Sequence, residues 1–421
     1  MSVQKRAVWS WAIYDFGNSA FTTLVVTFVY SLYFTDYLAP DPIQGTALWT
    51  RGVAITAVVV ALCSPVLGAL ADRGGYRKTF LLISTLVAVF ATAVLYRFEP
   101  GQAMTALFVF VIANIAYEFG TVFYNAFLPD LTNERNIGKV SGWGWGLGYF
   151  GGLIALVIAL LILIRPEVPW FGFSTDNDEN IRATNLLVAV WFLLFSLPLF
   201  LFVRVSRPRP SQRGTIIRDS FAQLGDTFRQ ISKHRETVKF LIARLFYNDG
   251  LVTIFALGGI YAGVTFGFTF DEVVVFGIVI NLAAGIGAIV MGYIDDRVGA
   301  KRTIVVSLLG LIGAALIGIF AASAAWFWVA GIVIGVFAGP NQSASRSLMG
   351  RYVPPGMQNE FFGFFAFSGK LTAFIGPGLF GEVTRLADSQ RAGMAVVLIM
   401  LAIGLVLLLN VREPDGPLEP S

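Results

Sequence analysis

Apolar runs of about twenty residues follow one another along this chain, parted by short polar stretches. A helix needs about 20 such residues to cross a hydrocarbon core of ~30 Å. The pattern predicts twelve spanning helices, at 9–37, 49–71, 79–97, 102–127, 140–164, 183–203, 239–265, 272–294, 303–322, 325–349, 359–384 and 392–411. The fold class is therefore an all-α membrane protein. Its organisation divides into a six-helix bundle over 1–204, a linker over 205–238 and a second six-helix bundle over 239–421.

Polar residues inside the runs are concentrated on four helices. The first carries Asp15, Asn18 and Thr22, spaced to share one helix face. The fourth carries Asn114, Glu118, Thr121 and Asn125, again on one face. The seventh opens with Arg244, then Tyr247, Asn248, Asp249 and Gly250, followed by Thr253. The tenth ends with Asn341, Gln342, Ser345 and Arg346. Lys370, in the eleventh, is the basic residue deepest in a span. A charge at that depth costs at least ~2.5–3.5 kcal/mol, so each of these groups needs a reason to be there.

One segment is written twice. Gly68, Asp72, Arg73, Gly75, Arg77 and Lys78 recur as Gly292, Asp296, Arg297, Gly299, Lys301 and Arg302, 224 residues later. Each copy joins the second helix of its bundle to the third. A repeat of this kind in a membrane protein points to two homologous halves of a transporter. The glycines suit a tight turn: Gly74, Gly75 and Gly299 can take positive φ. Asp72 and Asp296 can meet an arginine or a helix N-terminus. The closing basic pairs can rest on an anionic leaflet. Together these residues predict a gating contact between halves rather than a substrate site.

Composition agrees: 56% of residues are hydrophobic and 13% charged, against about 25% charged in soluble domains. Forty-four glycines suit close helix packing in lipid. Gly144, Gly148 and Gly152, offset by Gly142 and Gly146, form such a seam on the fifth helix. Of the 30 Lys and Arg, all but seven fall on one side when both termini are cytoplasmic. The exceptions are Arg51, Arg97, Arg165, Arg182, Arg385, Arg391 and Lys370, a strong positive-inside bias. The net charge of +4 thus reflects topology and suggests no nucleic-acid partner. The linker holds a breaker-rich basic stretch at 206–214 and an amphipathic pattern at 219–235. It reads as a cytosolic connector touching anionic lipid, or as a regulatory segment.

The motif pair resembles that of the major facilitator superfamily. More narrowly, Trp11 to Ala20, Tyr124 to Pro129, Ser141 to Gly152 and Phe361 to Lys370 resemble its vacuolar amino-acid effluxer-like branch. The resemblance implies twelve helices in two bundles, alternating access, a monomer, and helices 1, 4, 7 and 10 around a central cavity. Those are the four helices with polar stripes. It also suggests amino-acid efflux and a place in a bacterial cytoplasmic membrane.

Candidate substrate or coupling residues are Asp15, Asn18, Asn114, Glu118, Asn125, Asn248, Asp249, Asn341 and Lys370. Glu118 can carry a coupling proton or bond to a neighbouring helix. Asp15 and Asp249 can line a cavity or pack helices. Lys370 can pair with Asp249 or Glu118, or meet a substrate carboxylate. The Gly376-Pro377-Gly378 run predicts a kink, and Phe361 to Phe367 reads as lipid-facing and packing surface. No phosphate-binding loop or Ser-His-Asp set is present, and the one histidine is His234. The reading is a non-enzyme without cofactor or metal. Its partners are a small-molecule substrate, the lipid bilayer and protons. Three functions stay open: an amino-acid exporter, a carrier of another solute such as a sugar or drug-like compound, and a non-transporting sensor.

Overall fold

The computed structural model describes residues 3–204 and 234–414. The amphipathic pattern in the linker falls almost wholly outside them. No strand occurs among the described residues. The helices are α1 (Val3–Ala20), α2 (Pro42–Gly74), α3 (Arg77–Leu95), α4 (Ala103–Asn125), α5 (Ile137–Ala159) and α6 (Glu179–Phe202). After the linker come α7 (Arg235–Phe266), α8 (Phe270–Val298), α9 (Ala300–Phe320), α10 (Ala324–Tyr352), α11 (Gln358–Lys370), α12 (Ile375–Ala387) and α13 (Gln390–Leu409). The twelve crossings expected from the sequence are all helical, and ten are long and apolar enough to span in one piece.

The two exceptions are the first and the eleventh. The first continues past α1 as π-helical turns over Phe21–Phe28 and Phe34–Leu38, with a short α-helical turn at Tyr30–Tyr33 between them. Thr22, Thr23, Val25, Val26 and Thr27 crowd this stretch with β-branched side chains, which disfavour the tight α-helical turn. The eleventh is broken into α11 and α12 across residues 371–374. Pro377 explains the break. It offers no N–H to the carbonyl of residue 373, and its ring collides with that carbonyl in a continuous helix. The expected kink is thus a full interruption, set just before the Gly-Pro-Gly run.

Two compact units emerge. The first comprises Met1–Val60, Tyr76–Tyr124 and Leu147–Arg207; the second comprises Ala61–Gly75, Asn125–Gly146 and Pro208–Ser421. In the first, Phe21, Leu24, Tyr30, Tyr33 and Phe34 build a core with Trp49 and Phe110. The Trp49 and Phe110 rings stack at 3.9 Å. In the second, Phe266, Phe276 and Phe327 stack, with Phe266 and Phe276 at 4.6 and 5.0 Å from Phe327. Backbone approach is close here. A Cβ on Gly339 would lie 2.1 Å from the Ala284 carbonyl, so α8 and α10 require glycine at their crossing.

The aromatic run at 361–367 is packing surface: Phe361, Phe362, Phe364 and Phe365 are buried. The expected lipid-facing role is not theirs. The fifth-helix glycines serve two neighbours. Gly148, Gly151 and Gly152 seat the first span, at Ser19, Phe16 and Thr23, while Gly142 and Gly146 seat α8, at Ala288 and Ile289.

Candidate functional site

Both motif aspartates lie in the second compact unit, and each caps a helix from the opposite half of the sequence. Asp72 ends α2 and faces the first turn of α11. It accepts hydrogen bonds from the Asn359 amide at 3.2 Å, the Asn359 side-chain nitrogen at 2.6 Å and the Glu360 amide at 2.8 Å. Asp296 ends α8 and faces the first turn of α5. It accepts from the Gly138 amide at 2.7 Å and the Lys139 amide at 3.0 Å. First-turn amides have no intrahelical acceptor, and the helix dipole places partial positive charge there. A carboxylate answers both needs.

Sequence spacing explains why the motif glycines accompany these acids. Gly68 and Gly292 sit four residues before the aspartates, on the same helix face. A Cβ on Gly68 would lie 2.3 Å from the Asn359 carbonyl, and one on Gly292 would lie 2.9 Å from the Gly138 carbonyl. Each glycine lets its helix touch the capped one. Gly75 and Gly299 take positive φ, +65° and +96°, in the turns that follow. Gly74 remains in α2.

The basic pairs do more than face lipid. Lys78 donates to the Val203 carbonyl at 2.7 Å and Lys301 to the Leu409 carbonyl at 2.9 Å. Each ammonium thereby binds the C-terminal end of its own half's last helix, where cations are favoured. Arg77 is buried and Arg73 half-buried, whereas Arg297 and Arg302 are exposed.

Residues outside the repeat reinforce the second motif. Arg351 pairs with buried Asp295 at 2.7 Å and approaches Asp296 at 3.9 Å and Glu413 at 3.8 Å. Glu413 in turn caps α9, accepting from the Ala300 amide at 2.8 Å and the Lys301 amide at 3.2 Å. None of the three was singled out from the sequence. The available signal was Asp295 itself, an extra acid where the first copy has Ala71. A further contact links α10 to α4 and α5. The buried Arg346 donates to Ser141 Oγ at 3.0 Å, the Ser141 carbonyl at 2.7 Å and Asn125 Oδ1 at 3.1 Å.

The chain belongs to the Atg22-like vacuole effluxer family. That family's model matches residues 37–419. YxiO, an uncharacterized MFS-type transporter of Bacillus subtilis, is 28% identical over 407 residues, covering 96% of this chain and 94% of its own. Autophagy-related protein 22-1 of Penicillium rubens is 22% identical over 458 residues, covering 88% of this chain and 75% of its own. Two solved structures share the fold across essentially the whole length. The human organic anion transporter MFSD10 superposes with a TM-score of 0.75 at 16% identity, covering 97% of this chain and all of its own. FucP in the outward conformation gives 0.76 at 14% identity, covering 98% and 99%. This Atg22-like protein is a multi-pass membrane transporter of the major facilitator type.

The remaining candidates divide between the two units. In the first, Asn18 and Asn114 are buried, while Asp15 and Glu118 are half-buried. The Asp15 carboxyl packs on Gly148, 3.7 Å from the position of a Cβ there. Its neighbour Tyr14 is fixed by a 2.8 Å bond to Thr85 and by stacking on Tyr124 at 4.9 Å. In the second unit, Asn125 is a partner of Arg346, and Asn341 donates to Ser307 at 3.2 Å. Asn248 and Asp249 both reach the broken helix: Asn248 donates to the Gly369 carbonyl at 3.2 Å, and Asp249 accepts from the Gly376 amide at 3.0 Å. Lys370, half-buried, is the last residue of α11, directly at the break.

Proposed function

We propose that this protein is a secondary active transporter that exports an amino acid by alternating access, coupled to protons. The reciprocal caps carry the reading. Asp72 on α11 and Asp296 on α5 join opposite halves through bonds that water can replace, which suits a latch that must release in every cycle. The name of the family, vacuole effluxer, supports export. Charges of both signs within the spans, Asp15, Glu118, Asp249 and Lys370, suit a zwitterion better than a neutral sugar. Lys370 is the candidate for the substrate carboxylate, and Glu118 for the coupling proton. The positive-inside bias of the sequence supports both termini on the cytoplasmic side.

The test is efflux from proteoliposomes loaded with a mixture of common amino acids, with and without a pH gradient, read by mass spectrometry. Selective, gradient-dependent loss of one or a few is expected, and Glu118→Gln should remove the gradient dependence. Retention of every amino acid under every gradient would overturn the substrate assignment.

A further inference from the structure

The break in the eleventh crossing is served at both ends by adjacent residues of α7. Asn248 donates to the Gly369 carbonyl, at the C-terminal end of α11. Asp249 Oδ2 accepts the Gly376 amide, in the first turn of α12. The contact is tight: a Cβ on Gly376 would lie 2.2 Å from Thr253 Oγ1 and 3.1 Å from Asp249 Oδ1. Asp249 is only 2% exposed, and its Oδ1 is buried with no hydrogen-bond partner among the described residues.

This carboxyl is pulled two ways. The Gly376 amide and the positive end of α12 favour an anion. The buried Oδ1, which meets no donor among the described residues, penalises one. A single proton decides which influence prevails. A hydrogen bond to an ionised acceptor is roughly twice as strong as one to a neutral acceptor. Protonation therefore halves the bond that pins the start of α12 to α7.

We propose that Asp249 takes up and releases a proton during the transport cycle, and that its protonation loosens α12 so that this half-helix moves separately from α11. The proposal rests on the proton-coupled reading above and adds a second residue and a moving element to it. The step is a simple exchange: a proton from water adds to Oδ1 or leaves it, and no other bond changes except the Gly376 contact.

Few other charges surround the site. On α7 itself, Arg244 is committed to the Phe365 carbonyl at 2.7 Å and Ser368 Oγ at 2.9 Å. On α11 there is Lys370 at the break, with Glu360 nearly three turns away. On α10 are Arg346, bound to Ser141 and Asn125, and Arg351, bound to Asp295. Within α12 no charge precedes Glu382; within α13 none follows Arg391; α8 has none between Glu272 and Asp295.

The experiment places spin labels at Ala322→Cys and Ala387→Cys in a Cys63→Ser background. The distance distribution is read by pulsed electron spectroscopy in acidic and alkaline buffer, without any transported solute. The expected result is a distribution that shifts with pH and that Asp249→Asn locks in its acidic form. A distribution that ignores pH, or a shift that survives Asp249→Asn, overturns the proposal. Should Asp249→Asn fail to fold, Asp249→Glu carries the test: it retains a titrating group and must keep a shift at a displaced midpoint, and its absence overturns the proposal. Because no solute is present, a negative flux assay bears on the transport reading alone.

Discussion

Replacing Asp72 by asparagine removes one charge and one acceptor oxygen and leaves the shape of the side chain. The carboxylate serves three donors, the Asn359 amide, the Asn359 side chain and the Glu360 amide. Asparagine keeps one acceptor and turns an N–H group toward a remaining donor. The loss includes at least one charge-assisted hydrogen bond, about 1.5–3 kcal/mol. The helix-dipole interaction adds about 0.3–1 kcal/mol. Asp72 is half-buried, so solvent screens part of this, and we expect about 2–3 kcal/mol against the latched conformer. At about 1.4 kcal/mol per tenfold, that is roughly a 30- to 150-fold shift of the equilibrium toward release. The assay uses spin labels at Asp130→Cys and Gln358→Cys, whose native side chains meet at 3.0 Å across the latched face. Asp72→Asn should add or enlarge a longer-distance population. Asp296→Asn, with two donors to lose rather than three, should do so to a smaller extent. Unchanged distributions in both variants would refute the argument that the caps hold the latch.

Gly68→Ala should destabilise the latched conformer in the same assay, because its methyl would meet the Asn359 backbone carbonyl at 2.3 Å; Gly313→Ala, with open space around it, should be silent. Glu413→Ala should lower the thermal midpoint by about 1–2 °C, since it uncaps α9 and withdraws a carboxylate from Arg351, a loss of about 1–2 kcal/mol. Lys370→Gln should abolish binding of the transported amino acid in calorimetry with the thermal midpoint kept; loss of folded protein instead would make Lys370 a structural partner.

The fold was legible because membrane helices announce themselves by length and apolarity, and because the duplicated Gly-Asp motif survives at a fixed offset. The motif also predicted its own chemistry: an aspartate at a helix N-terminus, with glycine where backbones touch. What the sequence did not yield depends on the partner's position. Nothing local tells Asn359 or Gly138 that a carboxylate from a distant helix will arrive. Arg351 and Glu413 sit outside the repeat, so no copy draws attention to them. Pro377 was visible as a disturbance. Its scale depends on whether neighbouring side chains satisfy the freed backbone groups, and Asn248 and Asp249 became visible in that role only when α7 was placed beside the break. The same limit applies to Asn125 and Asn341, which looked like cavity residues from their stripes and make bonds to Arg346 and Ser307.

If the caps act as the proposed latch, the composition of that face follows from the task of a carrier. Apolar burial at ~25 cal/mol per Å² would hold the halves together too well, because nothing in water compensates for its loss. Capped helix ends behave differently. On release, water can bond both the carboxylate of Asp72 or Asp296 and the amides they leave, so the net difference is a few kcal/mol rather than the gross strength of five hydrogen bonds. Shifting such an equilibrium from 1:99 to 99:1 requires a differential of about 5.5 kcal/mol. One cap of about 2–3 kcal/mol and a second, smaller one together come near that figure, which a bound solute and a proton together can supply. Glycine at 68 and 292 then has a second consequence: it lets the contact consist of backbone and carboxylate, with little apolar surface to lock it shut.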